Sequence, residues 1–217
     1  MYNLLLKELK LGVSPFFYIL PFLTGALMLI PGWIYFIVLL YFCWITVPNL
    51  CGTYKAQNDL QFSFMMPVTK NDIVKAKIAV IVILEFLHIV VAVIFGIMNT
   101  QLYPNINNFF LGPTVGFWGL GFIMFAIFNF IFISMYFKTA YKFGAPTIAA
   151  ITGAMLFAGG AEWLGIQNSM FFDLFKGSNS NNLFIHLPIL FAGIAIFAVF
   201  TIIAYHIAIK QFRKVDI

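Results

Sequence analysis

Glu85 and His88 stand three residues apart inside a long apolar run, and ionisable groups in such a place demand a reason. Burying a charge in hydrocarbon is costly, so intramembrane acids and bases mark either function or internal pairing. At i and i+3 of a helix the two share a face and can pair directly. One reading is a proton or substrate site near the middle of a membrane. The other is a self-satisfied polar patch holding its helix against a neighbour, favoured because no third titratable group completes a relay. Glu162 is a further case, beside Trp163 near the end of another apolar run. Ala150, Ala154, Ala158 and Glu162 recur at every fourth position, beside Gly159 and Gly160. Small residues at that spacing let helices approach closely, so the stripe predicts a helix interface, within the subunit or across a dimer. Gly112, Gly116, Gly119 and Gly121 form a weaker example.

Other chemistry finds no support in the residues. The chain has no GxxxxGK[ST] loop to hold a nucleotide phosphate, and no HExxH, GxSxG or intramembrane aspartyl pair. Cys43 and Cys51 show no metal-ligand or redox spacing, so no metal site is expected. His186 and His206 fall near the two ends of the last apolar run, where a histidine is unremarkable.

The elements that position these residues are membrane spans. Of 217 residues, 63% are hydrophobic and 9% charged, whereas a soluble domain carries roughly 25% charged residues. Six apolar segments meet the requirement for crossing a bilayer: Pro15–Ile30, Trp33–Leu50, Val74–Ile97, Pro113–Phe137, Ala145–Gly165 and Ile185–Ile209. Pro31-Gly32 makes a hairpin of the first two. The predicted fold is therefore all-α and polytopic, a single transmembrane domain over 1–217. Lys7, Lys10, Lys55, Lys70, Lys75, Lys77, Lys138, Lys142, Lys210, Arg213 and Lys214 all fall on one side of this topology, with Lys176 opposite. That asymmetry places both termini and the 51–77 segment in the cytoplasm of a multi-pass cell-membrane protein. The net charge of +5 thus reflects topology and lipid contact, not nucleic acid. Residues 1–12 read as an amphipathic interfacial helix, with Asn3, Lys7 and Lys10 on one face and Tyr2, Leu5, Leu6 and Leu9 on the other. The outer connections Asn99–Gly112 and Ile166–Phe184 are short, and the second carries an apolar cluster of Met170, Phe171, Phe172, Leu174 and Phe175.

The segment Met65–Lys77 is a polar island in this greasy chain. Pro67 stops what precedes it, and Thr69 or Asn71 can cap a new helix. Asp72 then sits in the first turn, where the helix dipole favours an acid. Ile73, Val74 and Ala76 offer an apolar face, while Lys70, Lys75 and Lys77 are expected to stay solvated or reach headgroups. A stiff helix joined to a span suits a push from a soluble partner; an ordinary loop with topology-setting lysines is the alternative.

Met66-Pro67-Val68-Thr69-Lys70-Asn71-Asp72-Ile73-Val74-Lys75-Ala76-Lys77 resembles the segment between spans two and three of small ABC-2 type permeases, such as bacterial peptide and antibiotic exporters. Asp59 is present as in that family, but without the glycine that often follows. The resemblance implies that 51–73 is a coupling loop, with Pro67, Thr69, Lys70, Asn71, Asp72, Ile73, Val74 and Lys75 docking onto a separate ABC ATPase subunit. It implies an exporter of amphipathic peptides or hydrophobic compounds, working as a homodimer or a paralogous heterodimer. ATP and Mg would bind the partner, with no cofactor in this chain. Spans one, two and five would line the path, which suits Ala150, Ala154 and Ala158. The competing function is an ATPase-independent, proton-coupled transporter or a membrane enzyme using Glu85 and His88.

Overall fold

A computed structural model describes residues 2–104, 109–139, 142–175 and 183–214, and among these every regular element is helical. In chain order they are α1 (Tyr2–Lys7), α2 (Phe16–Gly25), α3 (Tyr35–Tyr41), α4 (Val47–Ala56), α5 (Asp59–Met65), α6 (Lys70–Leu102), α7 (Val115–Lys138), α8 (Gly144–Gln167), α9 (Ser169–Phe175) and α10 (Leu183–Phe212). The Gly177–Asn182 tract and Lys176 lie outside the described residues.

Five helical stretches are long and apolar enough to cross a membrane: Tyr35–Ala56, Lys70–Leu102, Val115–Lys138, Gly144–Gln167 and His186–Phe212. The sixth expected span is different. Phe16–Leu29 closes with a 3-10 turn at Ala26–Leu29 and reaches span length only together with Asn3–Gly12, from which it is bent by 69°. The bend follows Gly12, Ser14 and Pro15, where helix termination was expected. The hairpin after it turns at Gly32, whose φ of +70° suits a residue without a Cβ.

The second span is continuous but not uniform. Pro48 has no N–H to offer the Trp44 carbonyl, and its ring crowds that oxygen. The chain widens into a π turn at Phe42–Thr46, directly before α4. Phe42 N–H bonds the Leu39 carbonyl, leaving the Val38 oxygen to another partner.

α7 and α10 make the closest helix pair. At its far end the seam is glycine against backbone: a Cβ on Gly119 would lie 2.5 Å from the Ile189 carbonyl oxygen, and one on Gly193 would strike the Gly119 carbonyl. Toward the opposite end aromatic pairs take over, Phe122–Phe197, Phe130–Phe200 and Phe137–Phe212, with ring centroids 5.5–5.7 Å apart. The glycines of this span therefore serve contacts within the subunit.

The alanine stripe behaves likewise. Ala150, Ala154 and Ala158 are buried where α8 packs on α7 and touches the second span. The stripe is thus a helix interface within the subunit, one of the two places expected for it. The small side chains bring α8 close to its own bundle. Outward, α8 shows Ile148, Thr152, Met155, Leu156 and Trp163, with open space at Gly159 and Gly160.

Candidate functional site

The polar island lies where the N-terminal helix, α5, the start of α6 and the end of α10 meet, here called the basic end. Asn58 takes a left-handed conformation (φ 51°), which asparagine tolerates, and turns the chain from α4 into α5. α5 stops at Met65 ahead of Pro67. Thr69 then caps α6: its Oγ1 accepts from Asp72 N–H at 3.2 Å and donates to the Asp72 carboxylate at 2.7 Å. That hydroxyl contact, above all, holds the Asp72 carboxyl below its usual range. Arg213 Nε donates to Asn71 Oδ1 at 3.2 Å, pinning the end of α10 here.

α6 then runs unbroken for 33 residues, about 50 Å at 1.5 Å per residue. That exceeds the roughly 30 Å hydrocarbon core, so the helix projects from the bilayer. No separate helix covers Lys70–Lys75; these residues are the first turns of α6, and the detached helix is α5.

The island's faces differ from expectation. Pro67, Thr69 and Lys75 are exposed and Lys70, Asn71 and Asp72 half-buried, but Ile73 and Val74 are buried. Ile73 and Ala76 close over Leu4 of the N-terminal helix, with Met66 and Val68 against them, so the apolar face is spent inside the chain. Ile73 and Val74, expected on the docking surface, are core residues of the isolated chain. α5 instead presents apolar surface: Phe62 is 52% and Met65 85% exposed.

Lys77 is also corrected. It is 1% exposed and neither solvated nor at headgroups. Its Nζ lies 2.5 Å from Asp59 Oδ2, 3.3 Å from Glu8 Oε2 and 3.4 Å from the centre of the Tyr54 ring. Lys7 Nζ meets the other oxygens, Asp59 Oδ1 at 2.5 Å and Glu8 Oε1 at 3.1 Å, and donates to Ser63 Oγ at 3.3 Å. The N-terminal helix thus buries Leu4 and Glu8, one turn apart, while Leu5 and Leu9 pack half-buried against the main core. Burial alone would raise the Asp59 carboxyl, but the Lys77 charge and hydrogen bonds from Lys7 and Lys77 outweigh it and hold the group below its ordinary value. A depressed folded pKa contributes stability above the unfolded value, about 4, and loses it as pH falls through the folded value. The melting temperature of the purified protein should therefore fall between about pH 5 and pH 3. In Asp59→Asn that fall should be smaller; an equal fall in both would refute the assignment.

In mid-span, Glu85 and His88 are buried and grip different helices. Glu85 Oε2 accepts from Asn129 Nδ2 of α7 at 2.8 Å. His88 Nε2 lies 2.8 Å from the Val38 carbonyl, the oxygen released beside the π turn, and so donates to it. Among the described residues no ion pair joins Glu85 to His88. The pair anticipated at i, i+3 is replaced by two ties to neighbouring helices. Asn129 carries no titratable group; its mark in the sequence is a lone amide in an aromatic run. Glu162 likewise reaches another segment, its Oε2 accepting from Leu111 N–H at 3.1 Å and tying α8 to the chain before α7.

A family model described as "ABC-2 family transporter protein" matches residues 3–213. This chain belongs to the ABC-2 transporter family. No curated protein and no solved structure gives a significant match. As an ABC-2 protein it is a membrane transporter component, and membership implies association with an ABC ATPase subunit. The family match spans both the N-terminal helix and α10, the two elements that close over the basic end.

Proposed function

We propose that this chain is the membrane subunit of an ATP-driven exporter for amphipathic peptides or hydrophobic compounds, with its basic end in the cytoplasm. The observation that carries the reading is the exposure of Phe62 and Met65 on α5, followed by Pro67 and Lys75, beside the start of α6. Large apolar side chains left uncovered by their own chain suit a docking partner. A soluble ATPase closing on ATP would displace α5 and bias the helices between two arrangements, the nucleotide supplying the free-energy difference. Two copies, identical or paralogous, would frame the path, and the outer face of α8 is open for such pairing.

Purification from native membranes tests this. An ATPase bearing a phosphate loop should accompany the wild type, and Phe62→Glu with Met65→Glu should weaken its binding about tenfold or more, since each side chain is worth about 1.5–3 kcal/mol when buried. No accompanying ATPase would defeat the reading. Full retention by the doubly substituted protein would remove docking from α5.

A further inference from the structure

The four charges at the basic end close a ring. Each carboxylate places one oxygen on each lysine: Glu8 Oε1 on Lys7 and Oε2 on Lys77, Asp59 Oδ1 on Lys7 and Oδ2 on Lys77. The charges sum to zero, and the ring is sealed. Glu8 is 0%, Lys77 1% and Asp59 6% exposed, and the Lys7 side chain only 15%. Tyr54 roofs it on one side, at a distance that requires glycine at position 12. A Cβ there would lie 2.6 Å from Tyr54 Cε1 and 3.2 Å from Glu8 Oε2. The π turn at Glu8–Gly12 carries Glu8 into the ring.

The ring's members come from three pieces of chain that share no helix. Lys7 and Glu8 belong to the N-terminal helix and its π turn, Asp59 to α5 and Lys77 to α6. Moving one piece away leaves opposite charges unpaired in a place without water, which is strongly unfavourable. A buried ring of this kind resists separation of its parts but not their movement together. The N-terminal helix continues, through the 69° bend, into the first span.

We propose that this ring is the joint through which displacement of α5 reaches the first span. The N-terminal helix, α5 and the first turns of α6 move as one body, with Glu8, Asp59 and Lys77 as positioning residues for the transport cycle. The source of the displacement rests on the docking reading above; the joint itself does not.

The test uses the full chain in lipid nanodiscs with the ATPase that accompanies it. Spin labels go on Lys10→Cys and Gln61→Cys, both exposed, while Cys43 and Cys51 are buried. The wild-type background should give one narrow distance distribution. Asp59→Asn should broaden it and lower substrate moved per ATP hydrolysed by about tenfold or more, with hydrolysis itself retained. Adding Lys7→Gln restores charge balance and should recover both readings. Should Asp59→Asn fail to fold, Lys7→Gln alone opens half of the ring and should broaden the distribution less. The joint is overturned if the distribution stays narrow in the single variant, or if it broadens with transport per ATP unchanged. A preparation lacking any ATPase defeats the docking reading separately, and the distance distribution alone then decides whether the three pieces are joined.

Discussion

Gly193→Val should abolish recovery of folded, monodisperse protein, whereas Gly159→Ala and Gly160→Ala should be close to neutral. The difference lies in what a new side chain would meet. At Gly193 it is the carbonyl, carbon and Cα of Gly119, all backbone, and on the other helix Gly119 faces the Ile189 carbonyl in the same way. Backbone in the middle of a helix cannot step aside as a rotamer can. The only relief is to part α7 from α10, which would also separate Phe122 from Phe197 and weaken the next turns of the seam. Overpacking typically costs about 1–3 kcal/mol and more where nothing yields; a branched residue against backbone belongs at or beyond the upper end. Gly159 and Gly160 meet nothing within 4 Å in this subunit. Size-exclusion profiles and thermal melts of the three variants decide the matter. A Gly193→Val protein melting close to wild type would show that the two helices are not in backbone contact.

Lys77→Met should destabilise the protein by about 3–5 kcal/mol, the usual consequence of removing one partner from a buried ionic group. Lys75→Met, two residues earlier on the same helix, should fall within about 0.5 kcal/mol of wild type. Methionine fills much of the lysine stem's volume, so the loss at position 77 is chiefly that of charge. Glu8 and Asp59 would be left sharing Lys7 alone, and Tyr54 would lose the ammonium 3.4 Å from its ring. Lys75 is exposed and has no such duty. Equal melting of the two variants would mean that Lys77 is held at the surface.

Those two lysines show what was and was not legible in the chain. Apolar length, Pro31-Gly32 and the lysine distribution announced the helical membrane fold, because hydrocarbon imposes the same length on every span. The Thr69 cap was legible too, since it involves residues three apart. Lys75 and Lys77, by contrast, look alike in sequence; only the arrival of Glu8 and Asp59, 69 and 18 residues away, separates them. Ile73 and Val74 were recognised as an apolar face, but periodicity does not say whether Leu4 or another protein covers it. Pro48 is a local signal as well, since a proline inside a span predicts the widened turn whose spare carbonyl His88 takes up. The bend of the first span and its early close in a 3-10 turn were not legible, because its composition is apolar throughout.

One consequence follows from the unbroken course of α6. Lys77 near one end, Glu85 and His88 in the middle and Asn99, which meets Tyr35 Oη at 3.4 Å, near the other hold four different parts of the chain at three heights. Successive residues on a helix point about 100° apart, so twisting α6 on its axis by even one position would pull every one of these ties away from its partner at once. Leaning the whole rod with its neighbours attached breaks none of them. The polar side chains along α6 thus act as a key in a slot, permitting tilt and forbidding spin.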